Sequence, residues 1–215
     1  HAQRIDDGRT LWAVVDSLGV VAFDPETKKP RATWRNAIEA ATLGHGSLDA
    51  LAVGRTVVAA GGPSGSVHLL DPATERYLAP VSALGDPVLS LALSPDEAFV
   101  FAGTQSGKVR VIRLCDRAEL PAVPAHPGGT TAVAVSRDGS VVATGGQDRA
   151  VRLWKRAGAR LDPVLTVPDR SGPVRELQFA PDDDRLLVLI ADERAVRVWD
   201  VAKLRAQLGR FKLAW

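Results

Sequence analysis

The sequence predicts an all-β fold assembled from recurring four-stranded antiparallel sheets. Two observations lead to it: one short phrase recurs five times, and alternating apolar runs bounded by turn residues fill each interval. The phrase is Gly19-Val20-Val21-Ala22-Phe23-Asp24-Pro25 at first appearance, then Ser66-Val67-His68-Leu69-Leu70-Asp71-Pro72. Lys108-Val109-Arg110-Val111-Ile112, Ala150-Val151-Arg152-Leu153-Trp154 and Ala195-Val196-Arg197-Val198-Trp199-Asp200 follow. Its valines stand at 20, 67, 109, 151 and 196, giving spacings of 47, 42, 42 and 45 residues. A four-stranded propeller blade occupies about 40–45 residues.

Each interval has the same internal order. An alternating run comes first, as in Val88-Leu89-Ser90-Leu91-Ala92-Leu93. A turn follows, seen as Ser94-Pro95-Asp96, Ser136-Arg137-Asp138-Gly139 and Ala180-Pro181-Asp182-Asp183. A second apolar run, such as Val141-Val142-Ala143-Thr144, leads through a polar loop to the anchor strand. Branched residues with period-two alternation, broken by Gly, Pro and Asp, read as short strands. Helical spacing is absent until Val201, Leu204, Leu208 and Phe211, which would form one apolar stripe on a C-terminal helix. The alternative for this tail is an outer strand over 203–211.

Bulk composition narrows the function classes. With 215 residues, 46% hydrophobic and 24% charged, the chain is an ordinary globular domain. A net charge of +2 gives no polyanion-binding surface, so nucleic acid is not an expected partner. The apolar run over 186–191 is too short to span a bilayer, and the first residues have no signal-peptide pattern. No membrane insertion is expected. A single cysteine, Cys115, excludes an internal disulfide framework, and no evident His partner makes it a nucleophile. Methionine is absent, which suggests a processed or trimmed chain or a piece of something longer. Arginine outnumbers lysine, and Ala, Val and Gly abound, a composition that hints at a GC-rich bacterial genome.

The repeats resemble the WD40 family, whose units carry a Gly-His pair, an Asp-Gly turn and a closing Trp-Asp. The best copy runs from Ala125 to Trp154, with His126, Asp138-Gly139, Thr144, Asp148 and Trp154 in the corresponding places. The resemblance implies a hydrogen-bonded chain of Trp154, Thr144, His126 and Asp148 that fastens a blade. Other copies are degenerate. Gly44-His45 opens one unit that closes on Leu70, the unit from Gly85 has Ser106 and Ile112, and the last has Glu193 but keeps Trp199-Asp200.

The resulting expectation is a β-propeller over 1–200, with blades at 1–43 (partial), 44–84, 85–125, 126–170 and 171–200, then a helical tail over 201–215. Five blades fall short of the seven most common in the family. About two further blades would come from upstream sequence or another chain, since a ring must close its sheet edges. A five-bladed ring is the alternative. The tail resembles the C-termini of bacterial WD-repeat proteins with other domains upstream.

Searches for chemistry return no site. The spacing of His1, His45, His68 and His126 fits no metal motif, Asp182-Asp183-Asp184 reads as a solvated turn, and Gly61-Gly62-Pro63-Ser64-Gly65 precedes a strand, not a helix. No catalytic residue, cofactor or metal is expected. Arg110, Arg152 and Arg197 recur at one strand position and read as stems packed between blades. The family's contact loops map to Gln105, Ser106, Gln147, Arg149, Asp192 and Arg194, giving partner-binding candidates. The expected function is a non-enzymatic protein-interaction scaffold in a larger bacterial protein or complex. The expected compartment is the cytoplasm, with the periplasm or a membrane-associated complex as the alternative. A ligand-binding or enzymatic propeller with a central-channel site is the second function class.

Overall fold

A computed structural model describes residues 2–4, 10–15, 19–33, 48–74, 76–81, 85–168, 171–191, 193 and 195–210. They form five antiparallel sheets in chain order. The first holds β1 (Ala2–Arg4), β2 (Leu11–Val15), β3 (Gly19–Phe23) and β4 (Pro30–Thr33). The second holds β5 (Ala50–Val53), β6 (Val58–Gly61), β7 (Val67–Asp71) and β8 (Arg76–Val81). The third holds β9 (Val88–Leu93), β10 (Phe99–Thr104), β11 (Lys108–Arg113) and β12 (Ala118–Pro124). The fourth holds β13 (Thr130–Val135), β14 (Val141–Gly146), β15 (Ala150–Ala157) and β16 (Arg160–Pro168). The fifth has three strands, β17 (Val174–Phe179), β18 (Arg185–Ile190) and β19 (Val196–Asp200).

Each sheet is a meander in which neighbours in sequence are neighbours in space. The innermost strands touch in series, β1 to β5, β5 to β9, β9 to β13 and β13 to β17, which sets the five sheets as blades of a propeller. The front unit, expected to be partial, has four strands, because three residues suffice for the short innermost β1. The sheet short of a strand is the last one.

The recurring valine explains the packing. Val20, Val67, Val109 and Val151 all lie on the third strand of their blade, and each is 0% exposed. Each joins an apolar layer with the following blade. Trp12, Val20 and Ala22 meet Leu51, Val58 and Ala60; Val67 and Leu69 meet Val88, Val100 and Ala102. Phe101, Val109 and Val111 meet Val133 and Val142, and Val151 and Leu153 meet Val174, Leu177, Leu186 and Val188. Burial of one such side chain contributes about 1.5–3 kcal/mol, so the interfaces, not local propensity, hold the blades in register. Glycine is required where blades come closest. A Cβ on Gly145 would lie 2.3 Å from a Val174 methyl of the next blade, and within the fourth blade one on Gly146 would lie 2.4 Å from the Cβ of His126.

The tail forms helix α1 (Val201–Arg210), not an outer strand. Asp200 caps it, its Oδ1 accepting the Lys203 N–H at 2.7 Å, while the Asp184 carbonyl accepts the Val201 and Ala202 amides. Val201 is buried and Leu204 half-buried. The Leu208 side chain and Phe211 lie outside the described residues.

Candidate functional site

The fourth blade joins the four residues named from its repeat. The Trp154 Nε1–H donates to Thr144 Oγ1 at 2.9 Å, and Thr144 Oγ1 lies 2.7 Å from His126 Nε2. His126 Nδ1 lies 2.8 Å from Asp148 Oδ1. The ionised Asp148 carboxylate can only accept, so Nδ1–H donates to it; Nε2 then accepts the Thr144 hydroxyl hydrogen while Thr144 Oγ1 accepts from Trp154. Burial pushes the His126 pKa down, outweighing the Asp148 carboxylate that raises it, so the ring stays neutral. Burial raises the Asp148 carboxyl, but the hydrogen bonds from His126 and Arg152 prevail and hold it below the usual range. Arg152 reaches Asp148 Oδ2 at 2.7 Å. The chain ties the entry to the blade (His126) to its second strand (Thr144), its third strand (Trp154) and the hairpin between them (Asp148).

Other blades replace this chain with shorter pairs. In the third, Asp86 accepts the Ser106 amide at 2.9 Å and its hydroxyl at 2.5 Å. The position of Arg152 is Val21, His68, Arg110 and Arg197 in the first, second, third and fifth blades. His68 Nδ1 sits 2.8 Å from the Tyr77 hydroxyl, Arg110 Nε donates to Glu119 at 2.6 Å, and Arg197 Nε donates to Glu193 at 3.0 Å. These arginines are therefore not mere packing stems. Each pairs with a carboxylate of its own blade, which lets a half-buried charge stay solvated by a partner.

The candidate contact residues fall at the blade end that carries His126. Gln105, Ser106, Gln147 and Arg149 are exposed there, on the hairpins between second and third strands. One backbone bond recurs beneath them. The Gln105 amide donates to the Pro87 carbonyl, Gln147 to Gly129 and Ala191 to Pro173, at 2.8–3.1 Å. Gly129 brings two of these hairpins together. A Cβ there would lie 3.4 Å from Gln147 Cγ and 3.6 Å from the Gln105 carbonyl oxygen. Arg149 adopts a left-handed φ of 60°, which holds the hairpin tight. Asp192, Arg194 and the Gly44-His45 pair lie outside the described residues.

The opposite end holds a device that sequence reasoning missed. The turn after each first strand has a positive-φ position, filled by Glu97, Gly139 and Asp183 in blades three to five. Asp183 reaches back one blade and accepts the Arg137 and Asp138 amides at 2.7 and 2.9 Å. Glu97 likewise accepts the Arg55 and Thr56 amides at 2.5 and 2.8 Å, and the Thr56 hydroxyl. Burial raises the Glu97 carboxyl, but these hydrogen bonds overcome it and keep it ionised. At Gly139 the preceding turn offers Pro95, which has no N–H to cap. Arg156 bridges instead, donating to the Gly139 carbonyl at 3.1 Å and to Asp96 at 3.1 Å, above the Phe99 ring. The acidic run at 182–184 is thus more than a solvated turn. These turns ring a cavity of about 740 Å³ walled by Val53, Leu93, Val135 and Phe179. Among the described residues, no three His, Cys, Asp or Glu side chains converge as metal ligands, and no helix is long and apolar enough to cross a membrane.

Two stretches, 80–113 and 119–155, match the family model "WD domain, G-beta repeat". The second begins on β12 and ends on β15, so a family repeat is offset by one strand from a structural blade. Protein groucho of Drosophila melanogaster is 31% identical over 144 residues, 66% of this chain and 19% of that protein. Transcription factor unc-37 of Caenorhabditis elegans is 27% identical over 128 residues, 60% of this chain and 20% of that protein. An uncharacterised WD repeat-containing protein of Synechocystis is 29% identical over 126 residues, 56% of this chain and 34% of that protein. The chain thus spans between a fifth and a third of the length of these relatives. Repeated four-stranded blades with these matches define a WD-repeat propeller. The chain belongs to the WD40 β-propeller family.

Proposed function

We propose that this chain is a protein-interaction scaffold, a non-enzymatic propeller module of a larger bacterial protein or a complex subunit. The observation that carries the reading is the loop end of blades three and four. Hydrogen-bonded blades hold Gln105, Gln147 and Arg149 exposed and in fixed relation around Gly129. Rigid polar loops with an arginine anchor suit recognition of a protein surface, because little ordering entropy is lost on binding. The Synechocystis relative supports a bacterial setting. Further blades, from upstream sequence or another chain, would complete the ring.

Pull-down with the wild-type chain and with Arg149→Glu and Arg194→Glu tests the loop face. Reversal of an arginine anchor should reduce partner recovery at least about tenfold, the cost of losing a charge-assisted contact. Unchanged recovery by the double variant, with an unchanged melting temperature, would remove these loops from the interface.

A further inference from the structure

Proline is confined to one kind of strand. The four outermost strands, β4, β8, β12 and β16, hold Pro30, Pro80, Pro121, Pro124, Pro163 and Pro168. The other fifteen described strands hold none. The longest outer strands, nine-residue β16 and seven-residue β12, carry two each, and the shorter ones carry one. No outer strand therefore offers more than four consecutive residues with a backbone N–H.

Irregular pairing follows the same pattern. Each outer strand pairs with its neighbour through a register shift, and none of the five pairs of second with third strands has one. The prolines sit in or beside these shifts. Pro30 stands opposite Phe23 and Ala32 opposite Ala22, which leaves Arg31 over. Pro163 stands opposite Trp154 and Leu165 opposite Leu153, so Val164 is the extra residue. Pro80 stands opposite His68 and Tyr77 opposite Leu70, and Pro121 falls within the shift between Leu120 and Val123.

A strand carries proline without losing a ladder bond only at a bulge or where the nitrogen faces away from its neighbour. Pro124 is an instance of the second. The Ala125 amide donates inward to the Gly107 carbonyl, and successive amides of an extended chain face opposite ways, so the Pro124 nitrogen faces out. A strand approaching from outside meets missing donors, and the bulges twist the edge as well. Between the prolines of β16, Val164-Leu165-Thr166-Val167 is uncharged and mostly β-branched, a composition that pairs edge to edge when left unbroken.

We propose that these prolines and bulges close the rim of the propeller to strand addition. The occupant they exclude is the same strand of a second copy, running antiparallel to the first, because two identical uncharged edges meet no repulsion. Other polypeptides, copies of this chain included, are thereby held to the blade ends. The inference goes beyond the scaffold reading, since the rim is closed whatever the loops bind.

The test compares the full 215-residue chain with Pro163→Val/Pro168→Val, which restores both N–H groups to β16. Light scattering over about 5–500 μM should give the variant a self-association constant at least about tenfold above that of the wild type. Amide exchange at 161–168 should slow with concentration in the variant alone. In a Cys115→Ser background, Thr166→Cys should yield a disulfide-linked dimer on mild oxidation only when both prolines are replaced. Thr166→Lys, added to the variant, should return it to wild-type behaviour, because like charges then face each other across the edge. Pro121→Val/Pro124→Val should act on β12 in the same way and decides the matter should the β16 variant lose its melting transition. An unchanged association constant in a variant with the wild-type melting transition would overturn the proposal. So would self-association of the wild type through β16, or association of the variant that leaves exchange at 161–168 untouched. None of these readouts involves Arg149 or a partner, so this inference and the scaffold reading fail separately.

Discussion

Replacing Thr144 with valine isolates the hydrogen-bond chain of the fourth blade. Valine keeps the shape and removes only the hydroxyl. Two buried groups then lose their partners, the Trp154 Nε1–H, now 2.9 Å from a methyl, and His126 Nε2, now 2.7 Å away. Thr144 is 0% exposed and His126 2%, so no water replaces the hydroxyl without a cavity opening. A buried donor or acceptor left unmade costs about 1–3 kcal/mol, so the loss of two should cost about 2–6 kcal/mol. For a domain of this size each kcal/mol lowers the melting temperature by about 2–4 °C, which gives a fall of about 4–24 °C. Urea unfolding followed by Trp fluorescence, combined with calorimetry, reads both numbers. A double-mutant cycle with Trp154→Phe separates the pair. Once the indole N–H is gone, Thr144→Val should cost at least about 1 kcal/mol less than in the wild type. A cost under about 0.5 kcal/mol, or strict additivity with Trp154→Phe, would refute the claim that the chain fastens the blade.

Four further outcomes follow from the geometry. His68 is fully buried, and burial pushes its pKa down to about 4. The unfolded ring binds its proton below about pH 6.5 and the folded one does not, so stability should fall with pH between about 6.5 and 4, by up to about 3 kcal/mol, and flatten in His68→Gln. Asp183→Ala loses two amide contacts and keeps a strained φ of 58°. Asp183→Gly loses the contacts but relaxes the backbone, so urea midpoints should rank wild type, Gly, then Ala, with the first step about 1–2 kcal/mol. Gly145→Ala should destabilise by about 1–3 kcal/mol, because its methyl would strike Val174 from the next blade, and a paired Val174→Ala should recover part of that loss. Arg156→Lys should cost about 1–2 kcal/mol in the same assay, since an ammonium cannot span Gly139 and Asp96 while covering Phe99.

The repeat and the strand order were legible because each blade buries one face against its neighbour. That burial forces an aliphatic residue into each recurring third-strand position, and the valines at 20, 67, 109 and 151 carry the signal. The Trp154 to Asp148 contacts were legible through the resemblance of this repeat to the family pattern, with which the need of a buried indole and imidazole for partners agrees. The bonds made by Glu97 and Asp183 were not. A carboxylate in a Pro-Asp turn has the composition of a solvated loop, and its acceptor role depends on the turn of the preceding blade, more than forty residues away. A hint existed in the alignment of Glu97 and Asp183 with Gly139, a position whose backbone favours glycine. Arg110, Arg152 and Arg197 read as stems because their carboxylate partners are not uniform: Asp148 and Glu193 stand four residues before their arginines, but Glu119 stands nine after. The front strand β1 has only three residues, which leave almost no pattern to read.

The one-strand offset between family repeat and blade has a practical meaning for anyone cutting or extending this chain. The stretch 119–155 takes its first strand from the third sheet and the rest from the fourth. A cut at 119 would strip β12 from its sheet and bare the flank of β11. A cut in the loop 125–129 would leave both sheets whole. Duplication or loss of a unit that straddles the seam leaves every intervening sheet with its full set of strands, so such an array can change its number of blades without ever passing through a damaged one.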